Sequence, residues 1–198
     1  GLIRAMVHLA RDLDLRIESC PPVAEIDPSL PPAAREAARK SAALMNLIRR
    51  NRLTGVIVGI RRDEQSMRAK ERVFSPRSDR GDWDILRQPA EFWDHSKVRP
   101  AQGDHVRIHP LLDWSELDIW RYTKSEGIPI VPAYLAKDGQ RYRSLGEHNI
   151  TQPMASNAKS IDEIIAELEA TRTPERAGRT MDHEAEDSFE RLRSAGYM

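Results

Sequence analysis

The chain has 198 residues, 31 basic and 31 acidic, and one cysteine. That length suits one domain, or one domain with an appended segment. Zero formal net charge excludes a globally basic nucleic-acid binder, and Cys20 alone excludes a disulfide framework or a multi-cysteine metal site.

Residues 2–13, LIRAMVHLARDL, place Leu2, Met6, Leu9 and Leu13 at helical spacing. Their charges rule out a signal-peptide core, and no run approaches the ~18–20 apolar residues that cross a bilayer. We expect no membrane and no nucleic acid as partner, and the reducing cytoplasm as compartment. The opening residue is Gly1, from which a processed, trimmed or incomplete product is expected. Residues 15–19 predict a short strand. Five prolines make 20–32 a loop, because proline lacks the N–H that ladders and helices use. Residues 33–52 are rich in alanine and arginine without glycine or proline, which predicts a helix. GVIVGI (55–60) predicts an inner strand buried on both faces, as in a parallel sheet. Residues 75–104 look irregular and 105–111 reads as a strand. Residues 114–127 predict a helix capped by Asp113 or Ser115 and stopped at Gly127. The stretch 128–134 is extended, and Ser160 with Glu163 forms a capping box for a helix over 161–170. A last charged helix is expected over 183–195, with surface connections at 147–159 and 172–182. Helix and strand alternate, so the fold class is α/β.

The chemistry concentrates in GIRRDEQSMRAKER, residues 59–72. It holds five cations, Arg61, Arg62, Arg68, Lys70 and Arg72, with Asp63, Glu64 and Glu71 among them. Ligands of open parallel sheets bind beyond the carboxyl ends of strands, and Arg61 and Arg62 stand at such an end. If 63–72 is helical, Arg68 and Arg72 share a face. Converging guanidiniums suit the oxygens of phosphate or sulfate. The other reading is a solvated helix whose charges pair internally, Glu64 with Arg68. Arg141 and Arg143 in RYRSLG form a second, weaker basic set, followed by Arg176 and Arg179.

No G-x-x-x-x-G-K-[ST] and no G-x-G-x-x-G occurs. His105 and His109 are read as strand residues beside Pro110 and not as a metal pair, so no metal site is expected. Cys20 is read as structural or incidental, and Trp114 and Trp120 as core residues of an amphipathic helix.

These motifs resemble the small, nucleotide-binding subunit of bacterial sulfate adenylyltransferase, within the PP-loop superfamily that also holds PAPS reductases. The resemblance runs from the arginine-rich segment through Phe74, Ser75 and Arg77, Trp83-Asp84, QPAEFW and VRIHPLLDWSELDIWRY. It continues through IPIVPAYLA and RYRSLG to the C-terminal SNAKSIDEIIAELEATRTPERAGRTMDH and GYM, covering about residues 33–198. It departs at Glu147-His148-Asn149, where the family has C-W-P, and between Tyr134 and Arg141, where the family often carries a longer insertion. The family's S-x-G-K-D-S phosphate loop has no counterpart in these residues and is expected upstream. The tail SAGYM lacks the cysteine that PAPS reduction needs, so reduction is not expected.

The resemblance implies a Rossmann-like sheet of the adenine-nucleotide α-hydrolase type: parallel strands flanked by helices, with a helical C-terminal extension. Its implied division is a nucleotide-binding part over 1–135 and an extension over 136–198. It implies that ATP and sulfate form adenylyl sulfate and pyrophosphate, with magnesium on the triphosphate and a GTPase large subunit as partner. Arg61, Arg62, Arg68, Lys70 and Arg72 become oxyanion and phosphate clamps. Asp63 and Glu64 orient them or help hold the metal, and Arg141 and Arg143 close the site. The alternatives are a non-catalytic or truncated nucleotide- or oxyanion-binding member, and a PP-loop enzyme that adenylylates another acceptor.

Overall fold

The structure is a computed structural model that describes residues 2–20, 23, 26–64, 68, 70–84, 86, 88–90, 104–146, 151–173 and 175. It falls into two compact units. Among the described residues, one gathers the chain up to Ser19 with the chain from Ser115, and the other runs Cys20–Trp114. The helix after Ser115 packs on the C-terminal helix of the same unit.

In the Cys20–Trp114 unit, α2 (Pro32–Asn51) begins on two prolines, whose fixed φ suits a first helical turn. It ends on Arg52 in the left-handed region, φ 52°. Its buried face carries Ala34, Ala38, Met45 and Ile48. β1 (Gly55–Ile57) pairs in parallel with β3 (His105–Ile108), and β2 (Phe74–Arg77) pairs antiparallel with β3. The described sheet is thus mixed, in the order β1-β3-β2.

The inner strand expected over 55–60 is corrected in two ways. Its ladder covers only Gly55–Ile57, and among the described strands β1 is an edge, with Ile57 74% exposed. A strand bonded on one side buries only part of its apolar surface. The expected irregular stretch from residue 75 begins instead with β2. Pro76 hid that strand, but proline is tolerated on an edge, which is where β2 lies. The expected helix over 63–72 is, in its first described part, a single 3-10 turn at Arg62–Glu64. Residues 65–67 and 69 lie outside the described residues.

In the other unit, α1 (Leu2–Asp12) forms as its periodicity requires, yet Met6 and Leu9 are exposed. The strand expected at 15–19 is extended chain without a partner strand among the described residues, and a lone strand has no ladder to stabilise it. α3 (Glu116–Ser125) carries a full capping box: Ser115 Oγ accepts from Asp118 N and the Asp118 carboxylate accepts from Ser115 N. β4 (Gln140–Arg141) and β5 (Met154–Ala155) form a small antiparallel pair that the sequence did not announce. α4 (Ile161–Ala170) starts at Ser160, whose Oγ accepts from Glu163 N at 3.2 Å. The Glu163 carboxylate accepts from Lys159 N, one residue before the position a reciprocal box would use. α3 and α4 enclose Trp120, Ala158 and Ile164, with the Tyr134 ring edge-on to Trp120 at 5.4 Å. The helix expected over 183–195, Arg176 and Arg179, and Glu147-His148-Asn149 lie outside the described residues.

Candidate functional site

Parallel pairing brings the carboxyl ends of β1 and β3 to one edge of the sheet. Arg62 N donates to the Leu112 carbonyl at 2.9 Å, tying the loop after β1 to the loop after β3. β2 runs the other way, so the residues leading into it reach the same edge. There His109 N donates to the Val73 carbonyl, and His109 Nδ1 lies 2.8 Å from the Arg72 carbonyl. A carbonyl only accepts, so Nδ1 carries the proton.

Four of the expected site residues form one knot, buried except at Asp63. Arg61 Nε donates to Asp63 Oδ1 at 2.8 Å, and Arg61 Nη1 lies 3.5 Å from Glu64 Oε1. Arg68 Nη1 holds the other Glu64 oxygen. Glu64 is thus shared by two guanidiniums, and both arginines are buried. The expected Glu64–Arg68 pair exists, but off a 3-10 turn and away from solvent. Arg62 forms an ion pair with Asp113, and its Nη2 donates to the Glu71 carbonyl at 3.1 Å.

Arg72 and Lys70 differ from these three. Arg72 donates only to backbone carbonyls: Nε to Pro89 at 2.9 Å, and Nη1 to Lys70 at 3.1 Å and Glu71 at 3.2 Å. Among the described residues it meets no carboxylate, and Lys70 is exposed with no ion pair. Three of the five cations therefore sit with internal counter-ions, and among the described residues Lys70 and Arg72 have none.

Arg141 and Arg143 belong to the other unit, and each is occupied there. Arg141 Nη2 donates to Glu167 Oε1 at 2.6 Å, with its side chain 0% exposed. Arg143 grips Glu116 through Nε at 3.0 Å and Nη2 at 2.7 Å. Both were expected to close the site, and in this structure each is held by a carboxylate of its own unit.

Sequence reasoning missed a buried polar face on β2 and β3. Ser75 stands opposite Arg107, and Arg77 opposite His105, on one side of the ladder. Arg77 Nη1 donates to Ser75 Oγ at 2.5 Å, and its guanidinium lies 5.7 Å from the Trp83 ring centroid. Neither ring nitrogen of His105, nor His109 Nε2, has a hydrogen-bond partner. Burial, with Arg107 and Arg77 adding repulsion, pushes His105 down to about 4 against the pull of Asp104. Burial also lowers His109, opposed by Glu71 and the Arg72 carbonyl. The signal was legible as period-two polarity at 75, 77, 105, 107 and 109. Among the described residues, no group of three or more His, Cys, Asp or Glu is placed to hold a metal ion.

The phosphoadenosine phosphosulfate reductase domain profile matches residues 24–153. Relatives named sulfate adenylyltransferase subunit 2 share 36% identity in Maricaulis maris, over 80% of this chain and 62% of the relative. In Rhodospirillum rubrum the figures are 38%, 88% and 69%. In Burkholderia lata they are 38%, 70% and 56%. The chain thus spans about six-tenths of the length of the curated relatives it matches. On the extent of the profile match and the level of identity, the chain belongs to the phosphoadenosine phosphosulfate reductase domain family.

Proposed function

We propose that this chain is the nucleotide-binding part of a sulfate adenylyltransferase small subunit, built on a Rossmann-like sheet of the adenine-nucleotide hydrolase type and working in the cytoplasm. The observation that carries the reading is the pair Lys70 and Arg72, cations at the carboxyl ends of β1 and β3 without carboxylate partners among the described residues. The names of the relatives favour adenylyl transfer over reduction. A sulfate oxygen attacks the α-phosphorus of ATP, a new P–O bond forms, and the bond to pyrophosphate breaks. Both reactants arrive ionised, so the step needs alignment and charge neutralisation more than proton transfer. Lys70 and Arg72 supply the available charge, and Arg61, Arg62 and Arg68 close on the phosphates. Asp63, Glu64 and Asp113 are turned to arginines. Magnesium enters as part of the substrate, carried on the triphosphate. The designation of the relatives as subunit 2 points to a partner subunit, which we take to be a GTPase.

The test is sulfate-dependent pyrophosphate release, with the partner subunit present, by a longer chain that carries the S-x-G-K-D-S loop upstream, while the 198 residues alone are expected to keep weak anion affinity and form no adenylyl sulfate. Arg72→Ala is expected to lower kcat/KM by about 10- to 100-fold, the equivalent of one charge-assisted hydrogen bond. Unchanged activity in Arg72→Ala and Lys70→Ala would remove the reading.

A further inference from the structure

Glu64 occupies the position of a ligand. Its two oxygens are divided between Arg61 Nη1 and Arg68 Nη1, all three side chains are largely buried, and Asp63 holds Arg61 Nε from the side. Two guanidiniums that converge on one carboxylate already have the spacing to converge on any group with two adjacent anionic oxygens. Arg61, Asp63, Glu64 and Arg68 together sum to zero charge, so a monoanion gains little by displacing Glu64. A tetrahedral dianion brings twice the charge and more oxygens to the same two forks.

We infer that Arg61 and Arg68 form a subsite for a tetrahedral dianion, a sulfate or a phosphoryl group, that Glu64 fills in the unliganded protein and leaves when the dianion enters. The inference rests on the adenylyl-transfer reading only for the identity of the ligand. The subsite itself stands on the shared carboxylate. In this arrangement Glu64 selects against singly charged anions, because a ligand must out-compete a carboxylate that is tethered to the chain and therefore at high effective concentration.

The experiment titrates the full chain with inorganic sulfate, reading heat of binding and the shift in Tm. Glu64→Ala is expected to bind sulfate about tenfold more tightly than the unaltered chain, and to regain Tm as sulfate saturates. Adding Arg68→Ala to Glu64→Ala is expected to abolish both effects. Should Glu64→Ala fail to fold, Glu64→Gln removes the charge at constant volume, and the sign of its change in sulfate affinity decides the same question. Equal or weaker sulfate binding in the Glu64 variants overturns the inference, since Glu64 would then be holding the arginines in place for the anion. ATP that competes with sulfate in Glu64→Ala assigns the subsite to a nucleotide phosphate, and ATP that binds alongside sulfate assigns it to free sulfate. Either result upholds the subsite. Loss of activity in Arg72→Ala with no sulfate effect at Glu64 would remove the subsite and leave the adenylyl-transfer reading standing. The converse outcome would do the reverse.

Discussion

Arg77 Nη2 lies 3.2 Å from Glu71 Oε1 and 3.3 Å from Oε2, with the two side chains 0% and 2% exposed. Glu71 and Arg77 bracket β2, and Ser75 Oγ donates to the same carboxylate at 3.2 Å. Removing one partner of a buried pair leaves the other charge unsolvated. Glu71→Ala is therefore expected to cost about 3–5 kcal/mol in urea unfolding. A double substitution of Glu71 and Arg77 by apolar residues of similar volume should cost less than Glu71→Ala alone. A double-variant loss equal to the sum of the singles would show that the pair does not act as a unit.

The buried histidines make stability depend on pH. His105 is held down to about 4 from an ordinary value of 6.5, chiefly by burial and then by Arg107 and Arg77. A histidine lowered in the folded state stays neutral there while the unfolded chain takes up a proton. Its contribution is fully present above about pH 6.5 and declines as the pH falls toward about 4, by up to roughly 3 kcal/mol in all. His109, lowered for the same first reason, adds to the loss on the acid side. Urea midpoints at pH 7.5, 6 and 5 check the expectation, with His105→Gln flattening the curve between 6.5 and 4. A His105→Gln profile as steep as the original would assign the effect elsewhere.

Gly81 sits at φ +88°, and a Cβ there would come 2.8 Å from Met45 Sδ. The sulfur is near the end of a flexible chain and can shift, so most of the cost comes from the backbone. Gly81→Ala is expected to lower stability by about 1–2 kcal/mol. The turn it completes, with Gly81 N donating to Ser78 O at 2.9 Å, is also where Arg49 of α2 reaches the Asp79 carbonyl. Loosening it should speed amide exchange around residues 78–82 ahead of β3, and uniform exchange across both would contradict the local account.

Helices α2, α3 and α4 were legible because their signals are local. Alanine-rich composition, Ser115 before Asp118, and Ser160 before Glu163 each lie within one turn. The strands were legible only in part. GVIVGI reads as buried on both faces, yet how many neighbours a strand has is a property of the sheet, and β1 has one. Pro76 concealed β2 because a strand's tolerance for proline depends on which edge it occupies. At the site, residue types and their place after β1 were readable, and so was Glu64–Arg68, four apart. The pairing of Arg62 with Asp113, and of Arg141 with Glu167, was not, because those partners meet only through the tertiary fold. Five cations in one segment therefore looked alike in sequence, and the structure separates them by their counter-ions.

That separation yields the sharpest contrast between variants. Arg141 is enclosed with Glu167, which also accepts from Ser156 Oγ, so Arg141→Ala strands a partly buried carboxylate. A loss of about 2–4 kcal/mol in stability is expected, with anion affinity of the folded protein unchanged. Arg72 is oriented by carbonyls of Pro89, Lys70 and Glu71 through Nε and Nη1, and no hydrogen bond from its Nη2 is seen among the described residues. Arg72→Lys keeps the charge but loses the planar fork that the carbonyls hold, so it should behave nearly like Arg72→Ala. Both are expected to weaken tripolyphosphate binding by about tenfold, with little change in the urea midpoint. Tripolyphosphate titration and urea unfolding on the three variants check this. A lysine that restores full affinity would mean that Arg72 contributes charge alone, and an Arg141→Ala chain that loses affinity while fully folded would place Arg141 at the anion after all.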